Sequence, residues 1–301
     1  MALDWFFLTL LSAAAYSGVD LLEKHLISRR IQSPLMLAIF VAIFYPIILV
    51  IIPILFTIDF TFLSSIAGFA IGAGMGMAYL LFMKSIRVEE VSRVVTLHYA
   101  YPLFIAPIAF FFLDESLNNA NYLGIILLVA STFMISYKKI GREILYSPAL
   151  LLMTTFNIAI AIENVLAKYL FDFTNFWSFV FWFTAGLIVI RLLLLLTIPR
   201  VRNEFRMIKF DRKLIGYGVA ISVLFLAANM FYYGAVSLQF VSLVSALSAI
   251  QPVFILAMAL AISYMRPGFV YEELSRRATL TKAIAVALVF LGTYLLTLNS
   301  L

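Results

Sequence analysis

Ten apolar runs, separated by polar punctuation, constrain this chain more than any other feature. They fall at roughly 3–23, 35–57, 62–84, 91–113, 120–138, 148–170, 175–197, 213–236, 241–264 and 279–298. Each approaches the about 20 residues that a helix needs to cross ~30 Å of hydrocarbon. Inside lipid the backbone amides of a segment have to be satisfied without water, so helices are predicted throughout. A soluble domain is ruled out by balance: 64% of the 301 residues are apolar and 12% are charged, more apolar surface than one core of this length hides. The runs are too long and continuous for the alternating strands of an outer-membrane barrel. The opening segment, MALDWFFLTLLSAAAYSG, carries Asp4 in place of a basic n-region, so it reads as a retained first helix and not as a cleaved signal. No lipidation or retention motif is expected at the end of the chain. Cysteine is absent, which removes disulfides and thiolate metal sites.

Charge then gives direction. The connections after the first, third, fifth, seventh and ninth runs, with the helix ends beside them, hold 20 of the 21 basic residues; Lys168 is the exception. By the positive-inside rule both termini face away from the cytoplasm. The formal charge of +6 is therefore topological. Dispersed among short connections, it does not form the continuous basic face that nucleic acid requires.

Two stretches repeat. VSRVVTLHYAYPLFI (91–105) and VSLVSALSAIQPVFI (241–255) share seven of fifteen residues at an offset of 150, Pro102 with Pro252 among them. LEKHL (22–26) is echoed by LAKYL (166–170). Five runs on either side of residue 143 imply an internal duplication, residues 1–142 and 143–301. Because five is odd, the second copy enters the membrane from the opposite side. The expectation is an all-α polytopic membrane protein of ten transmembrane helices in two inverted five-helix repeats, with a site near mid-membrane.

On these residues the chain resembles the EamA family of the drug/metabolite transporter superfamily. Lys24 and Lys168 match that pattern's helix-ending lysine; Val91, Ser92 and Pro102, and again Val241, Ser242 and Pro252, match its fourth helix. FFFLDESLN (110–118) matches its acidic end, with Glu115 at the usual position, whereas the second copy reads AISYMRPGF there. The resemblance spans essentially the whole chain. It implies ten helices and export or import of amino acids, nucleosides, amines or similar metabolites across the cytoplasmic membrane. Many members place their termini in the cytoplasm, the reverse of the charge reading here.

Polar groups inside a span mark function or need a partner. Pro102 and Pro252 each remove a helical hydrogen bond, which predicts bends that either serve packing or flex during gating. His98 and Tyr101 correspond by offset to Ser248 and Gln251, two polar stripes expected to face each other across a cavity. His98 is either an anion or proton site or a neutral packing residue. Glu163, inside the sixth run, either recognises an amine, carries a coupling proton or pairs with Lys168, five residues on. Asp20 is a further candidate for coupling, while Glu23 reads as interfacial. Asn229, Tyr79 and Trp182 are expected to line the cavity. Glycines at 68, 72 and 76 provide small-xxx-small spacing for close helix approach, outside any strand–turn–helix context for a nucleotide.

No diphosphate pair, HExxH or GxSxG is present, and His25 and His98 are the only histidines. Enzyme chemistry, a metal centre and a cofactor are therefore not expected, and a pore would need symmetric polar rings. The reading is transport of a small-molecule substrate by alternating access, with proton coupling as one option and a lipid or lipid-linked flippase of the same architecture as the alternative. The partners expected are the substrate and membrane lipid. A monomer suffices for a complete path, with a dimer left open.

Overall fold

The structure is a computed structural model that describes residues 4–31, 33–89, 94, 97–136, 148–265 and 276–297. Val91, Ser92, Arg93, Lys138, Lys139, Arg142 and Arg266 lie outside the described residues. Helices account for all the regular structure among them: α1 (Asp4–Arg29), α2 (Pro34–Ala42), α3 (Pro46–Leu55), α4 (Phe62–Val88), α5 (Pro102–Leu113), α6 (Asn119–Ser136), α7 (Pro148–Leu170), α8 (Phe176–Thr197), α9 (Pro199–Arg206), α10 (Arg212–Leu238), α11 (Val241–Ser248), α12 (Gln251–Met265) and α13 (Arg276–Thr297). Seven stretches are long and apolar enough to span a bilayer, among them Asp4–Ile27, Phe62–Val88 and Pro148–Leu170; Pro102–Leu113, Asn119–Ser131 and Ile284–Leu296 are shorter apolar helices. Large side chains such as Ile54, Phe62, Phe111 and Phe112 stand outward, each at least 75% exposed. That is the inverse of a soluble surface and fits contact with lipid. The protein is an all-helical, multi-pass membrane protein.

Three helical runs are interrupted, each just before or beside a proline. Tyr99–Tyr101 form a turn before Pro102 opens α5, and Ala249–Ile250 form one beside Pro252 in α12. A third break, at 43–45 before Pro46, splits what the sequence presents as one apolar run. A proline cannot donate, and its ring crowds the carbonyl one turn earlier, while Tyr45 and Tyr101, just before Pro46 and Pro102, keep a right-handed helical backbone. The backbone responds with tighter i→i+3 bonds: Tyr45 N–H to Ala42 O (3.3 Å), Tyr101 N–H to His98 O (3.1 Å) and Ile250 N–H to Leu247 O (3.0 Å). The carbonyl beside His98 is thereby occupied, and the neighbouring Leu97 carbonyl accepts the Asn157 side-chain amide at 2.8 Å.

Packing follows the small residues. A Cβ on Gly72 would stand 2.0 Å from the Phe183 carbonyl oxygen, and one on Gly186 2.1 Å from that of Phe69. The backbones of α4 and α8 therefore touch directly, an approach that larger residues forbid. Elsewhere the helices pair in equivalent ways. α1 packs along α10 as α7 packs along α4; α11 and α12 lie on α1 as α5 lies on α7; and α6 lies against α13.

Candidate functional site

Broken and continuous spans converge on a polar interior. From α1 come Tyr16, Asp20 and Glu23, which share one face at helical spacing and are half-buried. Asp20 Oδ2 accepts the Gln251 side-chain amide at 2.7 Å, joining the first helix to the broken ninth run. Ser17, on the same helix, donates to the Gln251 carbonyl at 3.1 Å. The Tyr101 hydroxyl meets the Ser245 carbonyl at 3.4 Å, and Ser248 is turned into its own helix, donating to Val244 O at 2.9 Å. Tyr16 lies within electrostatic reach of Asp20, Glu163, Tyr101 and Tyr45. It therefore stands between the carboxylates contributed by α1 and α7.

Glu163 is buried at 6% exposure. Its Oε1 accepts the Tyr233 hydroxyl, and its Oε2 accepts the Asn164 amide at 2.7 Å; Asn164 in turn accepts the Tyr232 hydroxyl. A carboxylate out of water needs such donors. Lys168 is not its counter-ion: Lys168 Nζ donates to Val236 O (2.6 Å) and Gln239 O (3.0 Å), carbonyls at the C-terminal end of α10. A cation there complements the helix terminus.

Beside this interior lies a group that the charge pattern conceals. Arg191 is counted among the basic residues near a connection, yet α8 continues six residues beyond it to Thr197. Its guanidinium carbon sits 5.5 Å from the Tyr45 ring centroid and 5.5 Å from that of Tyr79, a two-sided cation–π seat. Glu23 lies within reach of that charge. Tyr45 is delivered by the break before Pro46, so the third interruption positions an arginine. The signal available in sequence is one arginine in the otherwise apolar run LIVIRLLLLL.

Other expected residues are placed elsewhere. His98 is nested among Phe82, Phe156, Tyr99 and Tyr101, with ring centroids 5.6–6.0 Å away. It therefore faces α4 and α7 and not Gln251. Trp182 Nε1 donates to the Asp59 carbonyl at 3.3 Å, in the connection before α4. Asn229 returns its amide to Phe225 O at 2.7 Å, within its own helix.

The end of the molecule away from most basic residues is tied by buried and half-buried polar contacts. Asp59 accepts from Thr174 Oγ1 (3.1 Å), Asn175 N–H (3.3 Å) and Asn175 Nδ2 (2.9 Å). Glu115, 2% exposed, accepts from Val241 N–H (2.7 Å), Ser242 N–H (3.1 Å) and Ser242 Oγ (2.7 Å), and so caps α11. A carboxylate on the free amides of a helix start is a stable arrangement. At the other end the corresponding tie is a surface ion pair, Arg30 Nη1 to Asp211 Oδ2 at 2.8 Å. Of these carboxyls, Asp211 is held below the ordinary carboxylate range by the Leu214 amide first and by Arg30 next.

Comparison with known proteins places this geometry. The EamA-like transporter family matches residues 3–137. A solved crystal structure of a protein shares the fold with a TM-score of 0.75 and 15% identity, over 100% of this chain and 99% of that one. No curated protein matches the sequence.

Proposed function

Taking residues 3–137 as an EamA-like transporter unit, we propose that the whole chain is a transporter of two inverted five-helix halves, 1–142 and 143–301. It moves a small metabolite by alternating access through the cavity between them. The observation that carries this reading is the Asp20–Gln251 contact. In this reading the contact joins a half-buried carboxylate of the first half to the second, with Tyr16 within electrostatic reach of both Asp20 and Glu163. Structural carboxylates within membranes are fully paired; a half-buried one is available to a solute. The matched helix pairings support the inverted repeat, and the shared 150-residue offset of Pro102 and Pro252 puts a bend in each half. Asp20 and Glu163 are the groups offered for substrate recognition or proton coupling, in the membrane of a cell whose cytoplasm faces the basic connections.

The test is a thermal-stability screen of the purified chain against a metabolite library, repeated on Asp20→Asn and Glu163→Gln. A ligand that binds only the folded protein raises its melting point with occupancy. A shift lost in Asp20→Asn supports recognition at the interface of the halves. A shift untouched by both substitutions removes the cavity from recognition, and stabilisation by lipids alone favours the flippase alternative.

A further inference from the structure

We propose that α9 and the segment after it, residues 198–213, form a docking surface for the headgroups of anionic phospholipids. α9 is short and two-faced: Val201 is buried and Phe205 half-buried on the side packed against α2 and α8, while Arg200, Arg202, Asn203 and Arg206 are exposed. Hydrophobic side chains stand out next to those charges, Met207 at 73% and Phe210 at 48% exposure. The Phe210 ring packs at a tilt on Phe40, with centroids 5.7 Å apart, so the exposed apolar side chain is anchored to the bundle. Cationic side chains beside protruding apolar ones are the pattern of a helix lying in the membrane interface.

Charge selects the partner. Residues 198–213 hold six basic residues, Arg200, Arg202, Arg206, Lys209, Arg212 and Lys213, against two acidic ones, Glu204 and Asp211, a balance of +4. Both acids are engaged, Glu204 by Arg200 at 3.0 Å and Asp211 by Arg30 at 2.8 Å. Arg202, Arg206 and Lys209 have no ion pair among the described residues and are left to phosphate. Topological selection accounts for basic residues in this connection. It does not account for a folded amphipathic helix with apolar side chains beside the charges, whereas an anionic interface uses both. This surface is distinct from the cavity between the halves and does not depend on transport.

The full chain in nanodiscs of phosphatidylcholine, with and without phosphatidylglycerol, tests this. The melting point is expected to rise with phosphatidylglycerol and the rise to shrink with added salt. The triple variant Arg202→Gln, Arg206→Gln, Lys209→Gln is expected to melt like the parent in phosphatidylcholine but to lose most of the rise. Phosphatidylglycerol retained in native mass spectrometry should fall about fivefold per charge removed. Arg202→Lys with Arg206→Lys keeps the charge and should keep the rise, which controls for folding. An equal rise in parent and triple variant, no rise in either, or a rise reproduced by inorganic phosphate in phosphatidylcholine discs would overturn the proposal.

Discussion

A carboxylate within the hydrocarbon layer has to find donors or a wet cavity, and Glu163 and Asp20 do so differently. Glu163 is held by Tyr233 and Asn164, and Asp20 keeps one amide partner and stays half-buried. Glu163→Gln leaves one carbonyl oxygen for two donors, the Tyr233 hydroxyl and the Asn164 amide, and is expected to lower stability by about 1–3 kcal/mol, the cost of a buried group left unmatched. Calorimetry or a thermal scan reads this directly. Asp20→Asn keeps a carbonyl for Gln251 and should melt near the parent. Arg191→Met empties the seat between Tyr45 and Tyr79 and exposes Glu23 to an uncompensated site, so it should destabilise more than Tyr79→Phe, which keeps the ring and its roughly 0.5–2 kcal/mol attraction. Glu163 and Asp20 are visible in the sequence because a charge in an apolar run is rare. Arg191 carries the same signal, but its nearness to a connection makes it count toward topology, and only the break before Pro46 shows that Tyr45 turns to meet it. Tyr233 is equally hidden: nothing in its neighbours says which carboxylate its hydroxyl finds 70 residues earlier.

Between elements, the glycine spacing in α4 is legible as a close-contact face, but its partner is not. Gly186 stands alone in α8, and only the fold shows that it meets the Phe69 and Ala73 backbone of α4. Gly72→Val drives a side chain into the Phe183 backbone. It is expected to cost more than about 3 kcal/mol, the upper range for overpacking where neighbours can give way, while Gly74→Ala, which meets nothing within 4 Å, should be close to neutral. A melting comparison of the two separates crowding from helix propensity. The bends at Pro102 and Pro252 follow from proline chemistry at any position; the bend before Pro46 obeys the same rule, though a long apolar run conceals it. At the basic end, Asp211 starts α10 by accepting the Leu214 amide at 2.7 Å. Its lowered pKa fixes the sign of a pH effect. The contribution is complete above the ordinary carboxylate range and is lost as pH falls through the lowered value. Asp211→Ala should therefore melt below the parent at neutral pH, and the gap should close in acid.

At the scale of the molecule, apolar run length carries most of the architecture, since lipid leaves a chain few ways to satisfy its backbone. The meeting of the halves is less legible. The 150-residue echo pairs His98 with Ser248 and Tyr101 with Gln251, but in the folded chain Gln251 turns to Asp20 and His98 turns to Phe82 and Phe156. Offsets preserve position along a helix, and each broken segment rotates the residues beyond it. The two ends are also unequal, with Glu115 in a buried tie and Asp59 in a half-buried one at one end and an exposed Arg30–Asp211 pair at the other. Exposed pairs are weak and screened by salt. In the proposed cycle, solute reaches the space around Asp20 and Gln251 from each side of the membrane in turn. The absence of native cysteine makes one experiment direct: Gln251→Cys in proteoliposomes, treated from either side with a membrane-impermeant thiol reagent. Labelling of the introduced thiol from both sides, slowed by a transported solute, is the predicted result. A thiol that reacts from neither side, or only with a lipid-soluble reagent, would contradict it.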